Sequence, residues 1–130
     1  MNGPQVTLSI LFALIAGPGF AEPCADFFPE PSAMESVEPA SLAFDNHSHY
    51  AFNVLWANFE GGYTDMGIVQ PDETLPVDAR TFHFFYVEAY LPEETFCIGP
   101  FGAEDAEGCS VRITAENGLN WETYNCISGL

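Results

Sequence analysis

Tyr50 to Phe59 reads YAFNVLWANF, and the alternation in those residues decides the fold. In an extended chain successive side chains point to opposite sides, so Tyr50, Phe52, Val54 and Trp56 share one face and Ala51, Asn53, Leu55 and Ala57 the other. The larger residues recur with a period of two, which predicts a half-buried strand. Toward the C-terminus the same pattern continues. Glu60-Gly61-Gly62 predicts a turn, and Met66 to Val69 a short strand ended by Pro71-Asp72-Glu73. Arg80 to Leu91 (RTFHFFYVEAYL) is the richest segment, with Phe85, Val87, Ala89 and Leu91 on one face and Phe82, Phe84 and Tyr86 on the other. Two apolar faces mean either a central strand covered on both sides or a strand that shows an aromatic platform to solvent. Large exposed patches are uncommon, which favours the covered strand. Glu93 to Ile98, Cys109 to Thr114 and Trp121 to Ile127 bring the count to about seven strands, that of a compact all-β antiparallel sandwich.

Toward the N-terminus the pattern changes twice. From Glu22 to Ala43 the chain carries Pro23, Pro29, Pro31 and Pro39, a density that removes backbone donors and excludes a long helix. This predicts a proline-rich extended arm over residues 22–43, followed by the sandwich over 44–130. Before the arm, Val6 to Ala16 is an apolar run too short to span a bilayer, followed by Gly17, Pro18 and the small residues Gly19 and Ala21. Residues 1–21 therefore read as a secretory signal peptide cut between Ala21 and Glu22. A secreted or periplasmic bacterial protein, free of the membrane after cleavage, is the expectation.

Charge and cysteines narrow the chemistry. The chain has 19 carboxylates against Arg80 and Arg112, for a net charge of −17. Phosphate-rich partners need cationic neutralisation, so nucleic acid is excluded as an expected partner and an anionic membrane surface with it. A cationic partner fits the charge, as does solubility alone. An even set of four cysteines, Cys24, Cys97, Cys109 and Cys126, reads as two disulfides in an exported domain. If Asn117-Gly118 is a two-residue hairpin turn, Glu116 faces Leu119, opposed residue numbers sum to 235, and Cys109 falls opposite Cys126. Cys24 is then left for Cys97. The other arrangement, Cys97 with Cys109 and Cys24 with Cys126, would close the acidic loop and join the chain ends, and it stays open at this point.

No nucleophile turn, zinc-protease helix or free cysteine marks an enzyme. Glu88 is the one carboxylate in a conspicuously apolar setting. The loop 101–108, with Glu104, Asp105 and Glu107, lacks the ligand spacing of a calcium loop and reads as solvated. His47 and His49 lie two apart, so in an extended segment they point to the same side and, with Asp45, make a candidate copper or zinc set. Asn46-His47-Ser48 fits the glycosylation sequon.

Phe44-Asp45-Asn46-His47-Ser48, then Val54-Leu55-Trp56-Ala57-Asn58-Phe59-Glu60-Gly61, Leu75 and Arg80-Thr81-Phe82-His83 resemble the β domain of the von Hippel-Lindau tumour suppressor family. The resemblance covers residues 44–85 and implies a β-sandwich with a peptide-binding pocket in which Trp56 and His83 have counterparts. It does not extend to the helical domain with which that family recruits a ubiquitin-ligase adaptor, and Asp72-Glu73 stands where that family has a Pro-Gly turn. Phe85-Tyr86-Val87-Glu88-Ala89, with Phe96-Cys97 and Cys109, is similar to small exported bacterial domains of unknown function, a likeness that lends weight to the Cys97 to Cys109 pairing. The expected function is a non-enzymatic, monomeric interaction module without a cofactor. It would bind an extended peptide or protein segment through Trp56, Phe82, His83, Phe84 and Tyr86, or along a free sheet edge. The metal set is the second reading.

Overall fold

The computed structural model describes residues 22–34, 37–116 and 118–127, so the signal-peptide segment and Asn117 lie outside the described residues. After a short 3₁₀ turn at Cys24–Asp26 come eight strands: β1 Pro39–Asn46, β2 Phe52–Ala57, β3 Tyr63–Val69, β4 Thr74–Arg80, β5 Phe85–Tyr90, β6 Thr95–Phe101, β7 Cys109–Thr114 and β8 Asn120–Tyr124. They form two four-stranded sheets, in the orders β4-β1-β7-β8 and β3-β2-β5-β6. Alternate residues of each sheet meet in one core, which includes Leu42, Phe44, Phe52, Val54, Phe85, Val87, Ile98, Phe101, Val111 and Ile113. Phe44 sits near its centre, with its ring 6.0 Å from Phe85 and 6.4 Å from Phe101. The all-β sandwich is as the alternation predicts, and the two disulfides are as the even cysteine count predicts.

The details depart from the sequence reading in four places, each for a local reason. β1 begins at Pro39, inside the segment read as arm. A proline is tolerated at the first position of a strand, where it removes little pairing. β4 was not anticipated because Pro76 interrupts it. It is an edge strand, where the missing N–H can face away from β1. β1 and β7 run parallel, with Leu42 beside Cys109 and Asn46 beside Ile113, so the first sheet is mixed. The segment Arg80 to Leu91 is not one strand. Phe82 has φ of 61°, and it breaks the run between β4 and β5.

The disulfides join Cys24 to Cys97 and Cys109 to Cys126. The second pair is the one inferred, but from a register that is wrong by one. Thr114 faces Asn120 and Ser110 faces Tyr124, so opposed numbers sum to 234 and the loop spans residues 115–119. Asn125, at φ of 59°, inserts the extra residue that returns Cys126 to within 4.7 Å of Cys109 between α-carbons.

Cys24 anchors the arm across the outer face of the β3-β2-β5-β6 sheet. A second cluster forms beneath it from Cys24, Leu55, Ala57, Tyr86 and Cys97, with Phe27, Tyr63 and Phe84 packed against it. β2 and β5 are thereby covered on both faces. This is why Leu55 and Ala57, on the face read as solvent-facing, are buried.

Candidate functional site

Arg80 closes β4 and Phe85 opens β5, so only Thr81 to Phe84 remain to carry the chain from one sheet to the other. That crossing demands a sharp turn, and Phe82 takes a left-handed conformation that costs a side-chain-bearing residue about 1–2 kcal/mol. It is held from both sides. The Phe82 N–H donates to Ala103 O at 3.0 Å, and Phe82 O accepts from the Ala33 N–H at 3.0 Å. Such strain persists where neighbouring structure over-determines it.

The turn delivers His83 to Trp56 near the end of β2. The two rings stack with centroids 5.7 Å apart, and Phe59 packs edge-on against both, at 5.0 Å from Trp56 and 5.5 Å from His83. Beside this trio lies a cleft of about 320 Å³ between the edge strands of the two sheets. Met66 of β3 forms one wall, Asp78 and Arg80 of β4 the other, and Trp56, His83 and Phe85 the floor. Phe59 at 44% exposure and Met66 at 38% leave apolar surface at this end open to solvent. Trp56 Nε1 is buried and has no hydrogen-bond partner among the described residues. A buried donor left unsatisfied costs about 1–3 kcal/mol.

Burial holds the His83 imidazole below its ordinary pKa; the Arg80 charge adds to this and a hydrogen bond to the Ala33 backbone opposes it. A lowered value makes the ring neutral at pH 7, able to donate from one nitrogen and accept at the other.

Of the predicted binding residues, Trp56 and His83 meet, and the aromatic platform does not form. Tyr86 is only 5% exposed, under the arm, and its hydroxyl accepts the Glu30 N–H at 2.8 Å. Phe84 packs into the same covered cluster. Phe82 is 42% exposed, but lies in the turn rather than on a strand. Met66, Phe59, Asp78 and Arg80 were missed because they come from segments whose mutual approach depends on the sheet topology. Glu88 is structural too, since its carboxylate accepts from the Cys24 N–H at 2.8 Å and from the Tyr90 hydroxyl at 2.7 Å.

The candidate metal set divides. His47 and His49 are not in an extended segment, because buried Asn46 folds the chain after β1 into a tight loop. Its Nδ2 donates to Tyr50 O and Val69 O, and its Oδ1 accepts from the Ser48 N–H and hydroxyl. His47 Nε2 lies 2.9 Å from Asp45 Oδ2, and Arg112 Nε lies 3.8 Å from the same oxygen. Burial opposes ionisation of Asp45, but hydrogen bonds from Thr74 and His47 and the charges of His47 and Arg112 outweigh it and lower its pKa. His49 does not join them. Among the described residues no three His, Cys, Asp or Glu side chains gather as a metal-binding group.

In the acidic loop, Asp105 Oδ1 accepts from the Glu107 N–H and from Asn125 Nδ2, contacts that order the loop itself. Among the described residues, no helix is long and apolar enough to cross a membrane. Disulfides such as these form and persist in oxidising surroundings.

No protein-family model and no curated protein matches the chain. A solved structure described as "Trapped Toxin" aligns with a TM-score of 0.42 at 9% identity, over 68% of this chain and 23% of that one. The chain thus spans less than a quarter of that neighbour's length.

Proposed function

We propose that this is an exported interaction module that binds an extended segment of a protein or peptide in the cleft between β3 and β4. The observation that carries the reading is the cleft itself, which lies between two sheet edges and has an aromatic floor of Trp56, His83 and Phe85. A segment laid along a sheet edge satisfies its own backbone groups and sends alternate side chains to one side. One apolar side chain would fill the space over Trp56 and Phe85. The neutral His83 ring and Arg80 supply further polar contacts at the rim.

The net charge of −17 supports a partner whose flanking residues are cationic, since complementary charge steers encounter and suppresses wrong partners. The resemblance to the von Hippel-Lindau β domain points the same way, through Trp56 and His83. The two disulfides support export, as the apolar N-terminal run does.

Selection of displayed random peptides on the purified protein tests the reading. Selected peptides should be extended, apolar at one position and basic around it, and they should shift amide resonances of β3, β4 and the 81–84 turn. Shifts confined to the opposite edge, at β8, would overturn the assignment of the cleft.

A further inference from the structure

The arm meets the cleft's back wall as well as the outer sheet face. Five hydrogen bonds join residues 32–38 to the 80–84 turn. Ala33 N–H donates to Phe82 O at 3.0 Å, Phe84 N–H to Ser32 Oγ at 2.9 Å and Thr81 N–H to Glu38 O at 2.9 Å. The Glu38 N–H donates to Thr81 Oγ1 at 3.2 Å, and Arg80 Nη1 to Val37 O at 3.3 Å. These contacts fall on a segment between the sheets that carries a left-handed residue, Phe82, and the residue that stacks on Trp56.

From this we propose that the disulfide-tethered arm is the positioning element of the cleft, with the Cys24–Cys97 bond holding the arm in place and the arm holding the Phe82 turn and the His83 ring against Trp56. The proposal rests on the cleft as the binding site for its meaning, but its geometry stands without a ligand. A net hydrogen bond contributes no more than the cost of ordering about one residue, so the arm's hydrogen bonds roughly offset the cost of ordering it and leave little surplus to hold it down. The tether changes that balance by keeping residue 24 on the sheet in every accessible conformation. The left-handed Phe82 loses one of its two backbone partners when the arm leaves, and the turn is then free to relax. Cleft formation thus follows disulfide formation, and a chain with reduced cysteines keeps its sandwich but not its site. Ser32 and Ala33 are positioning residues in this scheme.

Histidine ring resonances of the full chain read the effect directly, because His83 lies over the Trp56 face while His47 and His49 are exposed references. Replacing both cysteines, Cys24→Ser with Cys97→Ser, should bring the shielded His83 ring signals to the positions of the other two histidines while amides of β1 and β7 keep theirs. Ala33→Pro retains the disulfide, removes the N–H bound to Phe82 O and restrains the neighbouring Ser32, so it loosens the arm's hold on the turn and decides the matter if the double variant does not fold. It should move the same His83 signals. Unchanged His83 signals in either folded variant would overturn the proposal. Peptide capture is measured separately: a His83 that responds as expected in a protein that selects no peptide would refute the cleft as a binding site and leave the role of the arm intact.

Discussion

Replacing Asn46 by alanine should cost more than any other single polar change in the molecule. Asn46 is entirely buried at the end of β1, and its amide makes four hydrogen bonds that shape the loop to Tyr50 and join it to β3. In Asn46→Ala the Ser48 hydroxyl keeps Tyr50 O as its acceptor, so the loss concentrates on two groups. These are the Ser48 N–H and Val69 O, which give up bonds of 2.8 and 3.0 Å in buried surroundings. At about 1–3 kcal/mol for each group left unsatisfied, the expected cost is about 2–6 kcal/mol. That is a large part of the ~5–15 kcal/mol that holds a domain of this size together. Urea unfolding of wild type and variant at equal slope measures it. A cost under ~1 kcal/mol would show that water replaces the amide without penalty, and would refute the argument that this side chain builds the loop. Asn46→Asp sharpens the test. Its carboxylate would face two carbonyls, so that variant should regain stability as pH falls and the group is protonated.

Three other outcomes follow from the same structure. Gly108 has φ of 90°, and a Cβ there would collide with the carbonyl oxygen of Ser41, so Gly108→Ala should destabilise by about 2 kcal/mol or more in the same assay. Burial raises Tyr63 to a pKa of about 12, with Tyr86 and Glu88 adding to it, and burial and the bond to Glu88 raise Tyr90 to about 12. Both exceed the ordinary value of 10.0, so the unfolded chain ionises first and stability should fall as pH rises from 10 toward 12. Absorbance titration should show these tyrosines ionising late, and ionisation of every tyrosine near pH 10 in the folded protein would contradict it. Because Asn46 is buried, the sequon Asn46-His47-Ser48 should carry no glycan in folded protein secreted from a eukaryotic host, which intact mass measures.

What was legible in the sequence was what period two controls. Phe52 and Val54, and Phe85, Val87 and Ala89, alternate because they pack on the opposite sheet, and they lie in the core as read. What period two cannot show is what covers the other face. Tyr86 looked available because nothing local says that residues 22–34, some sixty positions away in the chain, cross over it behind a disulfide of sequence separation 73. β4 was hidden by Pro76, whose meaning depends on whether a strand is central or at an edge, a property of the sheet rather than of the strand. The β7–β8 register failed by one residue because Thr114 and Asn120 are the last opposed pair, and the cysteine pairing survived only because Asn125 adds a compensating residue. In the site, Trp56 and His83 were identified together by resemblance. The walls given by Met66, Asp78 and Arg80 required the topology that places β3 beside β4.

The most direct measurement on the cleft is the affinity of a selected extended peptide for wild type and for Trp56→Phe, taken with the thermal midpoint of each. Phenylalanine keeps an aromatic floor and removes the larger indole surface on which His83 stacks. The account predicts a loss of about tenfold or more in affinity, near 1.4 kcal/mol, with both proteins folded and the variant's midpoint somewhat lower, because it gives up part of the indole's packing on His83 and Phe59. Equal affinity in the two proteins would contradict it.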